Sequence, residues 1–150
     1  MKTLTLLLGL VLLAAGAAFG QAPALPAFDT SRLYVQEAEF TRAIQPYQQA
    51  ISADARNARA QYWLGYAYLY AHRQWRAGLA PYAAEYLGRA EKPLQEAIKL
   101  DPGMVSAYAA LMEVYLLMGD LPRADEVSAQ MLQRIRPAWH SRFQTPPIGN

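Results

Sequence analysis

The feature that most constrains this chain is that it repeats itself. Arg42-Ala43-Ile44-Gln45-Pro46-Tyr47-Gln48-Gln49-Ala50-Ile51 aligns without gaps to Arg89-Ala90-Glu91-Lys92-Pro93-Leu94-Gln95-Glu96-Ala97-Ile98, and Arg, Ala, Pro, Gln, Ala and Ile coincide. From 42 to 89 the displacement is 47 residues; a further 34, from 89 to 123, brings Arg89-Ala90 onto Arg123-Ala124 and Ala97-Ile98 onto Met131-Leu132. A pattern that recurs three times along one chain builds a stack, because each copy buries its apolar face only against its neighbours.

The recurring copies have helical spacing, and the residues between them supply partner helices. Ala90, Leu94, Ala97 and Ile98 recur every three or four positions, the period of one helix face. Asp101-Pro102-Gly103 then stops that helix and starts another, with Asp101 as the expected cap, since proline disfavours helix before it and suits a first turn. The second helix, Val105 to Met118, carries Tyr108, Leu111 and Tyr115, and Gly119-Asp120 supplies a glycine stop and a fresh cap. Ala58 to Tyr70 is the matching partner helix upstream. The first displacement exceeds the second by 13 residues, 47 against 34, and these fall between His72 and Arg89. They are expected to lengthen the helices around a turn at Ala77-Gly78, with Pro81 opening a helical turn. Leu33 to Ala53 reads as a helix capped at Asp29, Thr30 or Ser31, and Pro46 inside it predicts a kink or break between 38 and 46. The last helix, Leu121 to about Ile135, precedes Pro137 and a basic, aromatic tail over 138–150, whose Trp139 and Phe143 are expected to pack on the open end of the stack.

At the start, Lys2 is followed by an apolar run from Leu4 to Ala18 and then Ala18-Phe19-Gly20. That order is a basic start, an apolar middle and a small-x-small cleavage site, so residues 1–20 are expected to be a secretory signal cut after Gly20. The alternative is an uncleaved membrane anchor over residues 4–19, which is the one route by which a membrane enters. Residues 21–30, with Pro23 and Pro26, read as a linker, and 31–137 as the repeat domain. A periplasmic or secreted location follows from the signal. The chain has no cysteine, which excludes disulfides, zinc-thiolate sites and thiol-linked haem. Its formal net charge of +2 is too small and too dispersed for a nucleic-acid surface. His72 and His140 lack partners at metal-ligand spacing and read as surface histidines, and Glu37 and Glu39 fall on different faces of a helix. No metal site, cofactor or enzymatic activity is expected.

With helix pairs, a 34-residue spacing and these residue types, the chain resembles the tetratricopeptide repeat family. The last full unit matches at Tyr108, Leu111, Tyr115, Gly119 and Ala124, with Pro137 near the expected end. The middle unit matches at Leu64, Gly65, Tyr68, Ala90, Leu94, Ala97, Asp101 and Pro102, departing by its insertion and by Gln61. The first unit keeps only its second helix, at Ala43, Tyr47 and Ala50. The resemblance implies an all-α fold of antiparallel helix-pair repeats in a short right-handed solenoid, with a close helix approach at Gly65. It also implies a concave groove lined by the first helices: Arg59, Tyr62, Tyr66, Leu69 and Tyr70, then Ser106, Ala109, Glu113, Leu116 and Leu117. Family members that clamp a terminal carboxylate use Lys and Asn where this chain has Tyr62 and Tyr66, so an apolar or proline-containing segment is the expected ligand. Tyr82 and Tyr86 join Tyr62, Tyr66 and Tyr70 as an aromatic group that serves either the groove or the core. The function these readings favour is an exported adaptor that holds a peptide or protein partner in the cell envelope. The alternative is a structural subunit that self-associates through uncapped helical ends.

Overall fold

Glycine at one position lets the two central helices touch, and the rest of the stack follows from that pair. The computed structural model describes residues 24–142, with side chains to Ile135. Its helices are α1 (Glu37–Ala53), α2 (Ala58–Arg76), α3 (Tyr86–Leu100), α4 (Val105–Met118) and α5 (Leu121–Arg142), with a 3-10 turn at Pro81–Ala83 before α3. Among the described residues there is no strand. Consecutive helices pack on each other, α2 most extensively on α3, and α2 also reaches past its own pair to α4. This is the helix-pair repeat that the spacing predicts. The expected signal segment, its cleavage site, residues 143–150 and the side chains of Trp139, His140 and Arg142 lie outside the described residues.

The stops repeat as the apolar pattern does. α2 and α4 each end on a left-handed glycine, Gly78 at φ 78° and Gly119 at φ 77°. In both, the next residue's N–H reaches back to the last helical turn, Leu79 to Gln74 and Asp120 to Tyr115, each at 2.9 Å. Only glycine enters that backbone region without cost. α1 and α3 end on aspartates one repeat apart. Asp54 accepts from the Arg56 N–H at 2.9 Å and Asp101 from the Gly103 N–H at 3.0 Å. Asp101 therefore closes α3 and does not cap α4, whose preceding residue Met104 makes no side-chain cap. The three-residue turn leaves the carboxylate too far back to reach α4's first N–H groups. Asn57 does cap α2, accepting from Ala60 at 2.9 Å, and Asp120 caps α5 through the Arg123 N–H at 3.1 Å.

Three expectations about proline and the chain ends need correction. α1 begins at Glu37, not near Ser31, and runs unbroken through Pro46. The carbonyl freed by Pro46 belongs to Arg42, which is exposed and open to water, while Phe40, Ile44 and Tyr47 bury the opposite face; that packing outweighs the lost bond. The last helix likewise continues through Pro137 to Arg142, its freed carbonyl lying at exposed Gln133. Residues 24–30, the described part of the expected 21–30 linker, are not free but run on into residues 31–36. They form a non-helical strap whose Phe28 and Tyr34 are only 4% and 2% exposed, and they occupy the place of the first helix that the first unit lacks. The 13 extra residues do what the spacing predicts, lengthening α2 to Arg76 and adding the turn at Gly78 and Pro81–Ala83.

Two apolar clusters share α2 as a common wall. One joins Leu69 of α2 to Leu87, Ala90 and Leu94 of α3, Tyr108, Leu111 and Val114 of α4, and Ala124 and Val127 of α5. The other joins Ala67 and Ala71 of α2 to Phe28 and Tyr34 of the strap, Phe40, Ile44 and Tyr47 of α1, and Ala80, Ala83 and Tyr86. A Cβ on Gly65 would stand 2.6 Å from Leu94 Cγ and 3.1 Å from the Ala90 carbonyl oxygen. Gly65→Ala is therefore expected to lower unfolding stability by about 1–3 kcal/mol, the range for overpacking. Gly88→Ala, at an exposed helical glycine with nothing within 4 Å, should raise it by about 0.5–1 kcal/mol. Urea unfolding of the two variants side by side checks both signs; equal midpoints would show that α2 and α3 do not meet as described.

Candidate functional site

A helix turns 100° per residue, so every fourth residue drifts by about 40°, and that drift sorts the expected groove residues. On α2, Tyr62, Tyr66, Leu69 and Arg73 form one stripe toward α4. Leu69, at its centre, is fully buried in the core with Leu94 and Val114, so it supports the groove from below and does not line it. Tyr70 has drifted to the other side. Its ring packs edge-on against Phe28 and Tyr34 of the strap, at 5.6 and 6.4 Å between centroids, and its hydroxyl donates to the Thr30 carbonyl at 2.7 Å. Tyr62 and Tyr66 remain half-buried side by side, 5.8 Å apart, and Arg59 is exposed above them. From α4, Ser106, Ala109 and Leu116 are exposed and Glu113 and Leu117 half-buried.

What joins the two lining helices is an ion pair that the sequence reading did not assign to a named arginine. Arg73 Nε donates to Glu113 Oε1 at 2.7 Å, and its Nη2 pairs with Glu113 Oε2. The fork-to-fork geometry fixes both groups in one plane, and both are about one-third exposed, so the pair contributes more to orientation than to stability. The Glu113 contact raises the Arg73 pKa above its ordinary value, burial opposing it. The guanidinium also lies 5.6 Å from the Tyr66 ring centre, a cation–π distance. Arg73 stands seven residues after Tyr66, on the same face of α2, and that spacing is the signal that would have found it. Beyond the pair an open cleft of about 320 Å³ is lined by Arg73, Arg76, Ala77, Glu113 and Leu117. The surface is thus aromatic at one end, charged at the other and aliphatic along α4. It can hold a peptide segment by ring contact and by charge.

The other tyrosines belong to the core. Tyr86 is buried, its hydroxyl donating to Glu37 Oε1 at 2.9 Å, and Tyr82 donates to the Tyr34 carbonyl at 2.6 Å. His72, read as a surface histidine, is 6% exposed, and its ring centre lies 4.9 Å from that of Trp75. It lies on the side of α2 that Gly65 turns toward α3, which is why it is covered. Its Nδ1 has no hydrogen-bond partner. Among the described residues no group of three or more His, Cys, Asp or Glu side chains could hold a metal ion. No helix among them is long and apolar enough to cross a membrane.

Residues 32–69 match the TPR repeat family, a stretch that runs from the strap through α1 into α2. No curated protein matches the chain. The copies at Arg89 and Arg123 lie beyond the matched residues, and there the repeat rests on the internal spacing and on burial: Ala90, Leu94 and Ala97 are fully covered and Ala124 nearly so.

Burial pushes the hydroxyls of Tyr47, Tyr82 and Tyr86 up to about 12; Glu37, accepting from Tyr86, adds to that shift. A raised phenol favours the folded state only while the unfolded chain's tyrosines stay protonated. The contribution is complete below about pH 10, the free-tyrosine value, and is lost as pH rises toward 12. Stability is therefore expected to fall across that window. Absorbance titration should show these phenolates forming together with loss of helix, and phenolate formation complete by pH 10 with the helices intact would refute the burial described.

Proposed function

We propose that the chain is an exported repeat adaptor that holds a peptide or protein partner in the cell envelope, gripping it in the groove between α2 and α4. Repeats of this kind generally mediate protein–protein interaction, and nothing in the described residues points to catalysis. The observation that carries the reading is the pre-set edge of that groove. Tyr66, Arg73 and Glu113 are held together before any ligand arrives, which lowers the ordering cost of binding. Tyrosine and arginine are also the side chains that most often dominate an interface. Export is supported by the order Lys2, apolar run, Ala18-Phe19-Gly20. A mature N-terminus at Gln21 on protein recovered from the envelope is the expected sequencing result; Met1 retained there would replace export with anchoring by residues 4–19.

Tyr66→Ala should weaken binding of a peptide selected from a library by on the order of 2 kcal/mol, the loss typical of a central interface tyrosine, and leave the helical signal unchanged. Leu69→Ala, three residues on, should instead lower stability by about 2–5 kcal/mol. Calorimetry on both, with circular dichroism, separates the roles. Selected peptides that bind Tyr66→Ala at full strength would place the partner on another surface.

A second reading rests on the opposite end of the stack. Val105 of α4 is exposed, at 44%, as are Leu121 and Leu132 of α5 at 60% and 51%. In a repeat stack that is where a following unit would sit, so self-association through this end is the alternative, and light scattering over a concentration series decides it.

A further inference from the structure

We infer that the C-terminal half of α2 carries a second, separate peptide site, a backbone clamp with two aromatic sockets, and that the chain fills it with its own residues 28–34. The evidence is the way the strap is held. Gln74 is buried, 5% exposed, and spends both ends of its amide on main chain: its Oε1 accepts from the Tyr34 N–H at 2.9 Å and its Nε2 donates to the Arg32 carbonyl at 3.1 Å. That is the pairing a neighbouring β-strand would offer, supplied here by one side chain. Tyr70 donates to the Thr30 carbonyl, sharing its hydrogen with that of Arg32 at 3.1 Å, and Tyr82 donates to the Tyr34 carbonyl at 2.6 Å. The carbonyls of residues 30, 32 and 34 are thus each engaged by a side chain, along a segment that turns at Thr30 and Ser31, where Asp29 Oδ1 accepts from the Ser31 N–H at 2.9 Å.

None of these bonds reads a strap side chain, so the clamp is indifferent to sequence. Selectivity comes from the two sockets. Phe28 enters one, against Tyr70, Phe40 and Tyr47, and Tyr34 enters beside it against Phe40 and Tyr70. Between them Leu33 is 56% exposed, and Val35 just beyond is 52% exposed. The ligand class is therefore a short turn-forming segment with two aromatic residues six apart, whose rings stack on each other at 5.2 Å between centroids. A helix-forming first unit would have filled this space with side-chain packing alone, whereas the strap is held as a bound peptide is held, through its backbone. The clamp lies on the strap side of α2, away from Tyr62 and Arg73, so its failure and that of the α2–α4 groove are independent.

The test uses the full chain with a specific protease site inserted between Val35 and Gln36, cut after folding. The fragment ending at Val35 should co-elute with the helical stack, and a fluorescent peptide of residues 24–35 should exchange into its place. Peptides carrying Phe28→Ala or Tyr34→Ala should bind about tenfold or more weakly, and one carrying Leu33→Ala as the parent does. Gln74→Leu, whose uncut form is first shown to be helical, should also lose about tenfold, because burying two unpaired main-chain groups is unfavourable. The proposal is overturned if the cut fragment separates from a still-helical stack, if cutting unfolds the stack so that the strap is merely part of the core, or if Gln74→Leu retains the peptide unchanged.

Discussion

The contact between Gly65 and Leu94 governs this structure. With a leucine seated where a side chain on α2 would otherwise project, α2 and α3 come close enough to form the most extensive helix interface in the molecule. Close-packed interiors transmit such spacing to their neighbours. The repeat displacements carry Gly65 to Met112 and Leu94 to Ser128, both half-buried. In the last pair the larger of the two residues therefore stands on the first helix and the smaller on the second.

Because α2 is the wall between both apolar clusters, its faces are the most specialised in the chain. One side closes on α3 through Gly65, another meets α4 through Tyr62, Leu69 and Arg73, and a third holds the strap through Tyr70 and Gln74. A 19-residue helix has room to do this only because the inserted segment lengthened it. Arg73 and Gln74, which anchor the groove edge and the strap respectively, both lie in the added turns beyond Tyr70. The insertion thus supplies Arg73 and Gln74, while Tyr70, which precedes it, adds its own bonds to the strap.

The glycine stops and the Asp120 cap were legible in the sequence from spacings within one or two turns, the repeat phase from displacements of 47 and 34 residues, and the Gly65 approach from the family resemblance; all are present. Tyr62, Tyr66 and Glu113, which the family resemblance assigns to a groove, are half-buried. The misplaced residues share a different cause. Leu69, Tyr70 and His72 sit within four residues of one another on α2, and which of three neighbours each faces depends on a few tens of degrees of helix rotation. The strap was illegible because the bonds that tie it to the stack come from Tyr70, Gln74 and Tyr82, far along the chain, while its own sequence carries turn and proline signals and, from Leu33, helical spacing. Pro46 does not break α1, because the buried face of Phe40, Ile44 and Tyr47 opposite it outweighs the one backbone bond the proline removes.

The strap also sets an order of events during folding. Adjacent helices in the stack are joined by short links, so their interfaces form from local contacts and can propagate along the chain quickly. The strap's bonds to α2 and Tyr82 span from 38 to 48 residues, and the loop they close has lost its entropy before any of them is made. Its docking surface exists only once α1, α2 and the turn before α3 are assembled. A strap that docks after the main barrier would add little to the folding rate and would act chiefly by slowing unfolding.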